Sequence, residues 1–586
     1  MVLFAIAVAF DLLGGWREIP HVVRGGLFNP DSYMRLDRIE AGLRAGHIGY
    51  WIPRAGFVLH WSHLLDSLLL AAAAPLVPLL GWHRALFSAG AVSGPVSVGL
   101  LAVAVAWAGA PLSEPRFRWW ASVAVGMAPA IEGYGRLGVI HHHVLLVVVA
   151  VMVAGYAFRA AAGERRCGMA AGAWFAFGLW LTPEIWPFGI LALGALGVGW
   201  LTGVAGTGRA LAVAGVTTSV LVGAILPVDP PPGAAGAIGV AFDHVSVVHL
   251  ALALAVAAVG AGLEGIDRAG LVGGRRAALG IGVGCCLIGA WVAIFPRAVA
   301  GPAGMSTAPG AGLMLAAISE MQPVVRPALV ATFLLGGFFG VAGAGWIAWR
   351  RRSWLAAYGA GCGLVVLALG FRYVRFSPYG EALGAAMLPP VLTAMDGEVV
   401  WRVGLLAVLL LLPRVAPAFA AAPRVAGCAL EGVAARLAPD AGQMVLASAD
   451  LTPALLYRTR VRVVGGLYVR DVAGFLRGRA AWRADVVPRG PGARVPEAVR
   501  ASGASLVLFC RRASGSPGAT LAGALARGRA PPWLRLLWYD RASGFALYRI
   551  SFCWRARPGG SRGRRRRAWS SGAPPDRRNR RRPWAP

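Results

Sequence analysis

Lysine is absent from this 586-residue chain, so its side-chain cations are arginine and histidine. Charge of either sign is scarce at 14%, against about 25% in soluble domains. A chain with so few charges and 57% hydrophobic residues carries more apolar side chains than one aqueous core can use. The seven cysteines include no C-x-x-C pair, so that motif supplies no redox or metal site. Met1–Phe10 has neither a basic start nor a small-residue cleavage site, which excludes a standard signal peptide; it reads as a short first span. No internal repeat of the transporter kind is visible.

The formal charge of +31 resembles a nucleic-acid signal, but the arginine-only, Gly/Ala-rich usage fits a compositional bias. Much of the excess lies in the Arg/Pro/Gly/Ser-rich tail Arg562–Arg582, which reads as disordered. No nucleic-acid partner is expected; membrane lipid headgroups are the better partner for such a tail.

What is present is a series of apolar runs, about 15–25 residues long. They include Ala85–Gly109, Val144–Phe158, Leu211–Leu226, Val247–Leu263, Ala277–Phe295, Pro327–Trp349 and Trp354–Gly370. Runs of that length cross a hydrocarbon layer as helices, because lipid offers the backbone no other hydrogen-bond partner. The pattern predicts a polytopic α-helical membrane protein with about 11–13 spans. The run Phe57–Leu80 is ambiguous: His60, His63 and Asp66 open it, and prolines close it. It reads as a membrane-adsorbed or partly embedded helix.

Arginines cluster in every second loop, at Arg116/Arg118, Arg159/Arg165/Arg166, Arg209, Arg268/Arg275/Arg276 and Arg350–Arg352. The positive-inside bias makes these loops cytoplasmic. The loops near Tyr134–Ile140, Pro183–Glu184, Pro227–His244 and Pro296–Arg326 then face outward, into the periplasm if the chain sits in a bacterial inner membrane.

From about residue 423 short apolar runs alternate with polar turns: Met444–Ala447, Val461–Val464, Ser505–Phe509, Leu534–Trp538 and Phe545–Ile550. Helical stretches Pro453–Thr459 and Pro496–Ser502 fit between them. This predicts a small extracytoplasmic α/β domain over 423–555, after a membrane domain over 1–422 and before the tail 556–586. No G-x-G-x-x-G follows its strands, so no nucleotide site is read there. Cys428, Cys510 and Cys553 allow one disulfide without specifying it. Cys285 and Cys286 lie inside an apolar run.

Ionisable residues at the outer surface are the candidates for chemistry. In Asn29-Pro-Asp-Ser-Tyr-Met-Arg-Leu-Asp-Arg38, Asp31 either caps a helix starting at Ser32 or binds a divalent cation that holds a phosphate. Arg35 is a further candidate on that helix. Tyr134-Gly-Arg-Leu-Gly-Val-Ile-His-His-His143 brings Arg136 and three successive imidazoles to the mouth of a span. Neighbours on a helix point about 100° apart, so at most one or two of His141, His142 and His143 are expected to face one site; imidazole favours zinc-like ions over Mg²⁺. Glu320, in Ile318-Ser-Glu-Met-Gln-Pro323, is either an exposed loop acid or a metal-supporting, basic or acceptor-binding carboxylate. In Phe371-Arg-Tyr-Val-Arg-Phe-Ser-Pro-Tyr-Gly-Glu381, Arg372 and Arg375 either snorkel to headgroups or meet a phosphate that matches the guanidinium fork. Tyr379 is a nearby candidate.

These four clusters, in this order, resemble the catalytic subunit family of oligosaccharyltransferases, within the GT-C class of membrane glycosyltransferases. Ile318–Pro323 is the strongest match, to the family's Ser-Val-Ser-Glu motif and the x-Gln-Pro that often follows. Asp31 matches the first-loop metal-binding Asp. His141 stands where the second-loop motif has Asp, and the family's Trp-Trp-Asp-Tyr-Gly string is absent. The resemblance implies a GT-C-like fold over about residues 1–420. It implies a divalent metal (Mn²⁺ or Mg²⁺) on Asp31, His141 and His143, catalytic roles for Asp31 and Glu320, and donor-phosphate contacts from Arg375 and Arg372. It implies transfer of a sugar or glycan from a polyprenyl-(pyro)phosphate to a protein or glycolipid acceptor. A transporter or flippase of a lipid-linked substrate, or an inactive relative, are the alternatives.

Overall fold

The computed structural model describes residues 1–551 apart from 165, 396–398, 420–427, 429, 431–432, 487–493 and 512–517. The Arg-rich tail and Cys553 lie outside the described residues. Most of the described chain is helical, and among the described residues eight helices are long and apolar enough to cross a membrane. The bent pair Pro327–Phe333 and Leu335–Arg351 makes a ninth. Two shorter apolar helices, Val2–Gly14 and Cys167–Leu181, bring the total to the lower end of the range expected from apolar runs.

Phe57–Leu80 divides where its composition does. Phe57–Val58 (β2) pairs antiparallel with Trp51–Ile52 (β1) in a small hairpin. His60 and His63 follow in a bend, and Leu64–Ala73 then runs through a short 3-10 turn into the helix Val77–Gly109. Gly81 (φ 72°) kinks the chain at the end of this stretch, so the helical part from Leu64 to Leu80 is set off from the span that follows. Asp66 is fully buried there because Arg35 and Arg38 pair with it.

The two ends of the helix bundle differ in chemistry. Arg159 donates to Trp107 O (2.7 Å) and Arg351 to Leu112 O (3.4 Å), while Glu114 N donates to Thr393 Oγ1 (2.9 Å). These bonds gather the arginine-bearing loops at one end. The helix His143–Ala161 starts at the other end, and Trp354–Arg372 finishes there.

The C-terminal part folds around a five-stranded sheet in the order β4-β3-β5-β7-β6. Its strands are β3 (Met444–Leu446), β4 (Arg462–Val463), β5 (Leu506–Cys510), β6 (Leu534–Tyr539) and β7 (Phe545–Ile550). β3 pairs parallel with β4 and β5, and β7 pairs antiparallel with β5 and β6. The central β5 is apolar almost throughout because both its faces are covered. Cys428 is disulfide-bonded to Cys510, tying the segment after the last span to that central strand.

This part is seated on the first outer loop. Val463 N donates to Arg54 O (3.0 Å), Arg54 donates back to Thr459 O, and Arg458 donates to Gly25 O. The helix Thr452–Arg458 packs on the helix Pro30–Ala45.

Candidate active site

Helix Pro30–Ala45 positions the first acid. Its N-cap is Asn29, whose side chain accepts from Asp31 N at 2.8 Å, with Pro30 at the first position and Gly46 closing it at φ 80°. Those are favoured cap residues. The helix thus starts before Ser32, and Asn29 rather than Asp31 supplies the cap. Asp31 is left free to face a cleft and lies 3.1 Å from His141 Nε2.

His141 and His142 reach the same cleft because the three histidines do not form a helical run. Gly138 takes φ +83°, where a Cβ would meet Val22 at 2.7 Å, so the turn requires glycine. Ile140 N then donates to Ser32 Oγ at 2.8 Å, which fastens this loop to the Asp31 helix. Helical geometry begins only at His143. All three imidazoles consequently converge, with ligand atoms within 4.8 Å of one another, rather than the one or two expected. His142 Nε2 is buried without a hydrogen-bond partner. Burial and the two neighbouring imidazoles hold the His142 pKa well below its ordinary value.

Glu320 sits in the 3-10 turn Ser319–Met321. Val324 N donates to Phe371 O (2.9 Å) and Val374 N to Gln322 O (3.0 Å), so the Glu320 turn and the Arg375 turn are fastened together. Arg375 is buried and its Nη2 donates to both oxygens of Glu184 (2.7 Å each) and to His143 Nε2 (3.1 Å). Its Nη1 lies 3.7 Å from Glu320 Oε1, and Tyr134 Oη donates to Glu320 Oε2 at 3.3 Å. Burial opposes the charged form of Glu320, but Arg375 and His143 outweigh it and hold its pKa below the carboxylate range.

The cleft is about 80 Å³ and is lined on this side by Asp31, His141, His142, Glu184, Glu320 and Arg375. His60, Trp61, Asp243, His244 and Tyr468 line its other side. Asp243 makes a bidentate pair with Arg470 (2.7 Å, 2.7 Å). Burial would raise the Asp243 pKa, but that pair brings it below the usual value. Behind this wall Asp229 accepts from Tyr50 Oη, from Trp180 Nε1 (2.8 Å) and from His63 N (2.8 Å), and lies 2.7 Å from His63 Nδ1. Burial works against the Asp229 carboxylate, yet these bonds from His244, His63 and Tyr50 depress its pKa far below normal.

Of four further expected participants, one lines the cleft with its charge already paired and three lie outside it. Arg35 lines the cleft but pairs with Asp66 at 2.5 Å and stacks over Trp61 at 4.5 Å. Arg372 is exposed and lies over Tyr373. Arg136 pairs with Glu18 and covers Phe28. Tyr379 stacks on Phe188 at 3.8 Å in a separate apolar cavity of about 360 Å³ among the spans. None of these three lines the cleft. Glu184, His60, Asp243, His244 and Tyr468 were not singled out as site residues from the sequence. For Glu184 a signal existed, an acid at the mouth of a span; Tyr468 arrives from a part of the chain more than 400 residues from Asp31.

Could this group hold a metal? Three buried imidazoles, one of them with an orphaned nitrogen, and an adjoining carboxylate form a donor set that fits a divalent ion. The nitrogen-rich composition favours zinc-like ions over Mg²⁺.

No protein-family model and no curated protein matches the chain. Among solved structures, the archaeal oligosaccharyltransferase AglB from Archaeoglobus fulgidus, in complex with an inhibitory peptide and a dolichol-phosphate, aligns with a TM-score of 0.61. The identity is 13%, over 94% of this chain and 74% of that one. The same archaeal oligosaccharyltransferase in complex with Zn and sulfate gives the same TM-score at 12% identity and the same coverage. ArnT from Cupriavidus metallidurans, bound to undecaprenyl phosphate, aligns at 14% identity over 93% and 97% of the two chains, with a TM-score of only 0.34. At such identities the likeness is one of fold. The architecture is the GT-C one in its oligosaccharyltransferase-like form, a multi-pass helical membrane protein with a C-terminal sheet.

Proposed function

We propose that this protein is a glycosyltransferase that moves a sugar or glycan from a polyprenyl-(pyro)phosphate donor to an acceptor, on the outer face of a bacterial inner membrane. The 1–422 region is the membrane domain of this reading and 423–555 its periplasmic domain. The observation that carries it is convergence. Asp31, His141, His142, Glu320 and Arg375 come from four separate stretches and line one cleft at the arginine-poor end of the bundle, with His143 close behind the other two imidazoles.

In this reading Arg375 binds the donor phosphate, because a buried guanidinium with its carboxylate partners at the cleft edge can exchange one anion for another. Asp31, His141 and His143, with His142 beside them, would hold the divalent ion. When bound, that ion supplies charge neutralisation for the departing phosphate. Glu320 is kept ionised by Arg375 and orients the acceptor from the same wall. Tyr134 fixes the Glu320 rotamer through its hydroxyl, and Ser32 holds the His141 loop at a constant distance from Asp31.

The test is purified full-length protein incubated with a panel of polyprenyl-linked sugars and with peptide and glycolipid acceptors, read by mass spectrometry. Transfer is expected with at least one pair, and Asp31→Ala and Glu320→Gln should reduce it at least a hundredfold. Full activity in both variants refutes the assignment.

A further inference from the structure

The charged groups on the wall opposite Arg375 are each paired with a partner of their own. Asp243 is saturated by Arg470, Arg35 by Asp66, and Asp229 by Tyr50, His63 and Trp180. His244 is also satisfied, with Nδ1 at 2.9 Å from Val245 O. A charged ligand would have to break one of these pairs, which is costly in a buried setting.

On this wall the Tyr468 hydroxyl and the His60 ring are without partners. Neither ring nitrogen has a hydrogen-bond partner among the described residues, and Nδ1 is shielded from solvent, which leaves Nε2 as the accessible nitrogen. Burial lowers its pKa to about 4, so the ring is an uncharged hydrogen-bonding group. The other surfaces offered are aromatic. Tyr468 stacks on Phe57 with centroids 5.1 Å apart and meets Trp61 edge-on at 5.7 Å, and both Trp61 and Tyr468 line the cleft. An unsatisfied neutral imidazole on a wall that also presents Trp61 and Tyr468, with Asp243 and Arg35 held in ion pairs, suits a neutral ligand that carries hydroxyls.

We infer that the His60–Trp61–Tyr468 wall is the acceptor subsite, and that the acceptor it takes is a carbohydrate hydroxyl rather than an asparagine carboxamide. This rests on the transferase reading above and names its acceptor class. His60 binds the acceptor hydroxyl directly, and the aromatic side chains receive the sugar ring.

The experiment is saturation-transfer NMR on the full chain in lipid nanodiscs. The probes are methyl α-D-glucopyranoside, methyl β-D-galactopyranoside and a blocked asparagine tripeptide, each at millimolar concentration. At least one glycoside should show transfer to the wild type. In His60→Ala its apparent affinity should fall at least fivefold, and in His60→Gln, which keeps a hydrogen-bonding group, it should fall less. The melting temperature of each variant checks folding, and His60→Gln carries the test if His60→Ala does not fold. Binding of the tripeptide alone, binding of no probe, or equal glycoside binding in all folded variants overturns the inference. Undecaprenyl phosphate affinity, measured on the same samples, reads the donor side separately: its loss in the wild type would fault the transferase reading, whereas its retention with no effect of His60 faults only the acceptor assignment.

Discussion

If Arg375 binds the donor phosphate as proposed, Glu184 competes with it, and removing the Glu184 charge should tighten donor binding. Arg375 Nη2 spends its hydrogen-bonding capacity on both Glu184 oxygens at 2.7 Å, and both side chains are nearly buried. An incoming phosphate must displace that carboxylate. A hydrogen bond to a charged group is worth about 1.5–3 kcal/mol net. Repulsion between a phosphate and a carboxylate roughly 6 Å apart, at an effective dielectric of about 20, adds about 3 kcal/mol. Glu184→Gln removes the second effect and weakens the first, so affinity for undecaprenyl phosphate should rise by about 10- to 100-fold, at about 1.4 kcal/mol per decade. The free protein should become less stable, because a buried cation loses one of two counter-ions; breaking such a pair costs about 3–5 kcal/mol when nothing replaces it, and Glu320 limits the loss here. The variant should therefore melt lower than wild type without ligand and show the larger ligand-induced rise. Direct titration with undecaprenyl phosphate in detergent, with melting curves alongside, measures both. Unchanged or weaker affinity would refute the reasoning, since Glu184 would then be helping to hold the donor.

Three further outcomes follow from the same geometry. His142→Ala should lower bound zinc or manganese, measured by elemental analysis after dialysis, to less than half the wild-type content, with little change in melting temperature of the chelator-treated protein. Asp471 is buried and accepts from Gly466 N at 2.6 Å, and burial pushes its pKa up to about 7. A folded pKa raised above the unfolded value means that the folded state binds the extra proton, so stability falls as pH rises from about 4 to about 7. The loss is about 4 kcal/mol at most. Asp471→Asn should flatten the denaturant midpoint across that range, and an unchanged slope would contradict the assignment. Cys510→Ser opens the link to Cys428 across 82 residues of chain. It should destabilise the C-terminal part by about 2–4 kcal/mol, seen as earlier proteolysis of that part while the helical region resists.

The helices and strands were legible because their patterns are local. Runs of lipid-crossing length marked most spans, and short apolar runs marked all five strands of the C-terminal sheet to within a residue or two at each end. Asp31, Glu320 and Arg375 were legible for a different reason: ionisable groups at the mouths of apolar spans are costly without partners. What local pattern could not give was conformation that depends on a distant contact. The three histidines looked like the start of a helix, which would have splayed them. The glycine turn at Gly138 and the Ile140–Ser32 bond delay that helix and turn all three inward. Asp31 looked like a cap until Asn29, two residues earlier, took that place. Arg35 stood as a further candidate on the Asp31 helix, but its partner Asp66 lies about thirty residues on, inside a run whose own structure was ambiguous. Tyr468 and Arg470 could be assigned to the cleft only once the C-terminal part was seated on the first outer loop.

That seating divides responsibility for the cleft between two parts of the chain under different constraints. The phosphate-facing side is assembled from span ends and the loops fastened to them, where a change at Gly138, Ser32 or Glu184 disturbs membrane helices as well. Leu467, Tyr468 and Val469 instead sit on one short connection after β4, joined to the loop before the helix Val247–Arg268 by Arg470, which pairs with Asp243 and donates to Pro232 O. Residues on such a connection can be exchanged without repacking the spans. In the proposed reading, the preference for one acceptor over another is therefore the property of this molecule most open to divergence, while the donor-handling side is held in place by the span ends it is built on.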